Sequence, residues 1–151
     1  MAARAYQVGR VKVHLLSDGE FWTDGGTNFG VVPKTLWEKV IGADALNRIP
    51  MQLRCLLIES DAGLGLVDPG YGDKLAPRRQ EALNLHGQFR LGGELASIGY
   101  TPEDISLVIN THLHGDHAGG NTKFAEDGSV APTFPNAAYL AQRLELADAT
   151  Y

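Results

Sequence analysis

Along its length the chain alternates between short apolar runs and clusters of glycine, proline and aspartate suited to ending them. Residues 11–17 alternate and then turn apolar, which predicts a strand, and Asp18-Gly19-Glu20 reads as the turn that ends it. Phe21-Trp22-Thr23 predicts a second strand, broken by Asp24-Gly25-Gly26, and residues 28–33 read as an irregular loop. Pro33 suits the first turn of a helix over 34–41, on which Trp37 and Val40 share a face. Residues 51–59 are rich in leucine and isoleucine and predict a central strand. Asp61-Ala62-Gly63 is its hairpin turn, and residues 64–67 form the returning strand before Asp68-Pro69-Gly70. A helical pattern covers 73–99 with a break near Gly87, carries Leu91, Leu95 and Ile98 at helical spacing, and stops at Gly99. Thr101 caps a short helical turn. Residues 105–110 are a short continuous apolar run, the pattern of a strand buried on both faces. After Asn121 the chain is polar and rich in turn residues through Gly128. One more strand is expected over 137–142, and a helix begins at Leu144.

Composition narrows the class without changing this outline. The 151 residues suit one domain, 1–151, of soluble, globular composition. The net charge of −5 comes without any Lys/Arg run, so neither nucleic acid nor an anionic membrane is expected as a partner. The single cysteine, Cys55, excludes an intrachain disulfide and reads as a small core residue. The first ten residues lack the apolar core of a signal peptide, and no segment is long and apolar enough to span a bilayer, so a cytoplasmic location is expected.

The chemistry concentrates where the run 105–110 ends. Three of the five histidines, His112, His114 and His117, fall within six residues, with Asp116 between the last two. Imidazole and carboxylate are the usual ligands of zinc and similar ions. Sheets of the open α/β type place their sites at the carboxyl ends of strands, where this segment lies. In extended backbone His112 and His114 point the same way and can chelate one ion. Asp116 and His117 need a turn to converge, which Gly115 can supply, and can hold a second ion about 3.5–4 Å away. An isolated histidine at a strand end is more often structural, but three in six residues with an aspartate among them is a far narrower event.

The segment His112-Leu113-His114-Gly115-Asp116-His117 resembles the His-x-His-x-Asp-His motif of the metallo-β-lactamase superfamily. Ser17-Asp18-Gly19, Asp24-Gly25-Gly26 with Phe29-Gly30 and Pro33, Val67-Asp68-Pro69-Gly70, and Thr133 to Ala137 with Gln142 and Glu145 resemble the branch of N-acyl-homoserine lactonases and organophosphate hydrolases. The resemblance implies an α/β fold: the N-terminal half of an αββα sandwich, a mixed sheet with flanking helices. It implies two divalent ions, zinc first among the candidates, with His112 and His114 on one and Asp116 and His117 on the other. Asp116 would also be catalytic, orienting a bridging hydroxide that attacks an ester or lactone carbonyl, with phosphotriesters, thiolesters and β-lactams as alternative substrates. Asp68 would accept a hydrogen bond from a ligand histidine and fix its tautomer. Its other reading is a plain Asp-Pro-Gly turn. Phe21, Trp22 and Phe29 are candidates for an apolar wall against the substrate, or ordinary packing aromatics.

The family's site needs a further histidine, a bridging aspartate and a final histidine, and no histidine follows His117. Asp127 and Asp148 read as surface groups, His14 as a hydrogen-bonded strand residue, and His86 as an exposed one. The chain therefore resembles one half of the family's domain. It is expected to be completed by a missing C-terminal half, or by a second copy in a homodimer. A non-catalytic module that acts through metal binding or association is the alternative to a hydrolase.

Overall fold

The computed structural model describes residues 4–85 and 90–150. Its strands are β1 (Arg4–Val8), β2 (Val11–Asp24), β3 (Arg48–Ser60), β4 (Gly63–Val67), β5 (Ile105–Asn110), β6 (Thr122–Phe124), β7 (Val130–Pro132) and β8 (Ala138–Ala141). Its helices are α1 (Gly25–Phe29), α2 (Lys34–Trp37), α3 (Pro77–Ala82), α4 (Leu91–Ser97), α5 (Gly115–Ala118) and α6 (Arg143–Thr150), with 3-10 turns at Pro102–Asp104 and Gly119–Asn121. Six strands form one mixed sheet in the order β1-β2-β3-β4-β5-β8. β1 to β4 pair antiparallel through consecutive neighbours, whereas β5 runs parallel to both β4 and β8. The expected α/β class, a mixed sheet with flanking helices, is therefore observed. Among the described residues no helix is long and apolar enough to cross a membrane.

The hairpin of β3 and β4 and the limits of β5 match the sequence reading, and several other elements do not. Asp18-Gly19-Glu20 is no turn. β2 runs through it as one 14-residue strand, with a bulge between Ser17 and Gly19 that inserts one extra residue opposite Arg54 and Leu53. Asp24 does not merely break a strand: its carboxylate caps α1 at the Gly26 amide. The helix after Pro33 stops at Trp37, so Trp37 is buried while Val40 is left 87% exposed. The helical stretch 73–99 contains two short helices, α3 and α4. His86, Gly87 and the break expected there lie outside the described residues. The polar segment after Asn121 holds a small hairpin, β6 with β7. β5 is not buried on both faces throughout: Leu107 and Ile109 on one face are half-buried, while Val108 and Asn110 are buried on the other, which Ile105 joins across a register shift against β4.

That face carries the main core. Leu16, Cys55, Leu57, Leu66, Ile105 and Val108 point from the strands toward Leu91 and Leu95 of α4 and toward Phe134, all fully buried. Phe21, Leu53, Leu83 and Leu85 form a second cluster beyond the bulge. The opposite face carries a row across the sheet, Leu15, Leu56, Val67, Ile109 and Leu140, paired neighbour to neighbour. Leu56 and Leu140 in that row remain 38% and 52% exposed.

Candidate metal centre

β4 and β5 lie side by side and parallel, so their carboxyl ends deliver two loops to the same edge of the sheet. The loop after β4 begins with Asp68. The loop after β5 begins with Thr111 and carries the histidine cluster.

Asp68 takes a positive φ of 50°, a conformation that aspartate tolerates better than most residues. This turns its carboxylate under the second loop. Its Oδ1 accepts the Thr111 N–H at 2.8 Å, and its Oδ2 accepts the Thr111 hydroxyl at 2.7 Å and His117 Nδ1–H at 2.9 Å. Burial alone would raise the Asp68 pKa. The hydrogen bonds from Thr111 and His117 outweigh it and hold the carboxyl below the usual aspartate range. Asp68 is thus both the turn and the hydrogen-bonding partner that its two readings offered. The Thr111 hydroxyl has one proton, and a carboxylate can only accept it. The contact of 3.1 Å between Thr111 Oγ1 and His112 Nδ1 is therefore donated by the imidazole. Both His112 and His117 are left with Nε2 as the nitrogen carrying a lone pair.

The second loop curls back through α5. The His114 carbonyl accepts the amides of His117 and Ala118, which brings the third imidazole beside the first. The rings of His112 and His117 are 3.9 Å apart between centroids, and those of His112 and His114 are 4.8 Å apart. Asp116 Oδ2 lies 3.4 Å from His117 Nε2. The donor set, three imidazoles and a carboxylate, fits a divalent cation in kind. Its geometry is open: among the described residues no three His, Cys, Asp or Glu side chains are yet disposed around one point.

Several further residues hold the loops in place. Gly119 and Gly120 lie against the backbone of the Asp68 loop. A Cβ on Gly120 would stand 2.2 Å from the Pro69 carbonyl oxygen, and one on Gly119 would stand 2.5 Å from that of Tyr71. The Gly120 amide donates to the Gly70 carbonyl at 2.8 Å. The Lys74 ammonium donates to the carbonyls of Gly119 and Thr122. At the base of the loop the Asn121 amide donates to Asn110 Oδ1 at 3.0 Å, bracketing the motif. Asp18, placed by the bulge, accepts the amides of Gly72, Arg90 and Leu91. Its only sequence signal was its place in the quoted Ser-Asp-Gly segment. The three candidate wall aromatics are not brought together. Phe21 packs edge-on against Tyr71, Phe29 stacks on Trp37, and Trp22 donates its indole N–H to Glu20. Asp127 accepts the Ser129 amide in an exposed turn, and Asp148 lies exposed on α6.

A family model described as the metallo-beta-lactamase superfamily matches residues 48–138, more than half of the chain. The chain belongs to the metallo-β-lactamase superfamily. It is 34% identical over 89 residues to an N-acyl homoserine lactonase of Bacillus cereus, a match covering 52% of this chain and 36% of that protein. A solved structure of a probable metal-dependent hydrolase from Staphylococcus aureus superposes with a TM-score of 0.86 at 32% identity, covering 95% of this chain and 50% of that one. The fold is also that of AidC, a dizinc quorum-quenching lactonase, with a TM-score of 0.72 at 22% identity over 95% of this chain and 46% of that one. This member of the superfamily thus spans about half the length of the solved relatives or less, and corresponds to their N-terminal half.

Proposed function

We propose that this chain carries the first part of the metal centre of a metal-dependent hydrolase that opens a small-molecule ester or lactone. The observation that carries the reading is the Asp68–Thr111–His112 and Asp68–His117 hydrogen bonding, which engages Nδ1 of two neighbouring imidazoles and leaves Nε2 of each as the donor nitrogen. His112 and His114 would hold one ion, and Asp116 and His117 a second, with zinc the metal best suited to imidazole and carboxylate together. Such ions supply Lewis acidity, polarising a carbonyl oxygen and acidifying water. The protein's own part is positional. Asp68 keeps the imidazoles in one tautomer, the Gly119-Gly120 contact fixes the loop on its neighbour, and Asp116 places a carboxylate beside His117 to receive or orient a proton. The similarity to N-acyl homoserine lactonases favours a lactone carbonyl over a phosphotriester, thiolester or β-lactam.

The test is hydrolysis of an N-acyl homoserine lactone by the purified chain supplied with zinc. Activity should disappear with a chelator, return with zinc and fall by orders of magnitude in His114→Ala. Activity indifferent to that substitution would sink the reading. The open disposition of the donors supports a second reading, a module that binds metal weakly and acts by association. Metal uptake well below one ion per chain, from a chain that is dimeric or larger, would select it.

A further inference from the structure

Between His112 and His114 stands Leu113, and its backbone N–H is donated to the carboxylate of Glu145, Oε2, at 3.3 Å. Glu145 belongs to a different element, α6, and its location there follows from the sheet. β8 pairs with β5 in parallel register, with Ala141 opposite Asn110, so the two strands end side by side. The Asn110 side chain ties the pair by donating to the Leu140 carbonyl at 3.3 Å. Gln142 then starts α6, its side-chain oxygen accepting the amides of Leu144 and Glu145. The first turn of α6 therefore comes out beside the histidine loop, and Glu145 is half-buried against it.

We infer that Glu145 is a positioning residue, which pins Leu113 so that His112 and His114 stay on one side of an extended backbone as a pair of metal donors. The inference rests on the metal reading above. A one-residue twist at Leu113 would separate the two imidazoles, since neighbours two apart share a side only while the segment is extended. A carboxylate also makes a stronger acceptor for an amide than a neutral group does. It places a negative charge near the site at which a cation would bind.

The experiment uses Co²⁺ as the probe, titrated into the chain freed of metal, with wild type, Glu145→Ala and Glu145→Gln compared. Co²⁺ affinity is read from the visible absorption of the bound ion, and exchange of the Leu113 amide is followed by NMR without metal. Glu145→Ala should weaken Co²⁺ binding about tenfold or more, as loss of an outer hydrogen-bonding partner does, and should speed exchange at Leu113. Glu145→Gln keeps an acceptor oxygen and should restore most of both. A role in folding alone would lower the melting temperature of Glu145→Ala and leave the Co²⁺ affinity of its folded fraction unchanged, which would overturn the inference. Unchanged exchange at Leu113 in Glu145→Ala would overturn it too. A wild-type chain that takes up no Co²⁺ would overturn the metal reading itself, and this role with it.

Discussion

At the scale of single residues, the carboxylates divide by environment. Asp68 lies in a nest of donors and is held below the ordinary aspartate range, whereas burial pushes Asp18 above it despite the amides of Gly72, Leu91 and Arg90. A folded-state pKa above the unfolded one means that the folded chain binds the Asp18 proton more tightly. The stability it contributes is complete below about pH 4, the ordinary aspartate value, and is lost as pH rises through the folded-state pKa. Asp18→Asn, which cannot titrate, provides the reference. Urea unfolding across that window should show wild type losing stability relative to Asp18→Asn as pH rises, and a constant gap would refute the shift. The histidine cluster stood out in sequence because three imidazoles and a carboxylate within six residues are a narrow combination, and the fold keeps the three rings close together. Asp18 was not, because the bulge that turns it inward leaves no mark beyond a glycine in a run that also reads as a turn. Cys55 was legible as a core residue: it is fully buried, and burial pushes its thiol well above the ordinary range, so it is chemically quiet.

At the scale of elements, sequence patterns succeeded where one strand or helix carried its own signal. The hairpin of β3 and β4, the apolar run of β5 and the leucines of α4 are of that kind. Patterns failed where a neighbour decided the outcome. β2 continues through Gly19 because β3 offers it a ladder on both sides of the bulge. α2 stops at Trp37, whose indole lies against Gly25 and stacks on Phe29, leaving the next turn without a surface to cover. The contact between the two site loops was legible in part, since the paired glycines Gly119-Gly120 mark a close backbone approach but not its partner, Asp68-Pro69-Gly70, which is distant in sequence. Gly120→Ala should cost on the order of 1–3 kcal/mol or more, the range of an overpacked site, because its Cβ would collide with a carbonyl oxygen and not with a movable side chain. A lowered urea midpoint measures this. A midpoint equal to wild type would mean that the loops are not in close contact.

At the scale of the molecule, the sheet is asymmetric. One face is closed over the core by α4 and Phe134, while the row from Leu15 to Leu140 on the other keeps apolar side chains in contact with water. Exposed apolar surface of this breadth favours association. Sedimentation velocity across a concentration series should therefore show this chain self-associating, and Leu56→Asp, at an exposed position of the row, should reduce it. Association unchanged by that charge would place the contact elsewhere. The sequence suggested such an open face only through resemblance, since the apolar runs do not say what lies over each side of a sheet.

The backbone contact between the two loops has one further consequence. Asp68 and the histidines it orients sit on segments that touch through main-chain atoms, with the Gly120 amide on the Gly70 carbonyl and the Lys74 ammonium closing the far end. Neither segment can swing away while the other stays, so they should open as one cooperative unit. The amides of Asp68, Gly70, Tyr71 and Gly72 and those from Thr111 to Gly120 would then share a single opening free energy in hydrogen exchange. Thermal fluctuation would then open or preserve the backbone that carries the cluster as a whole.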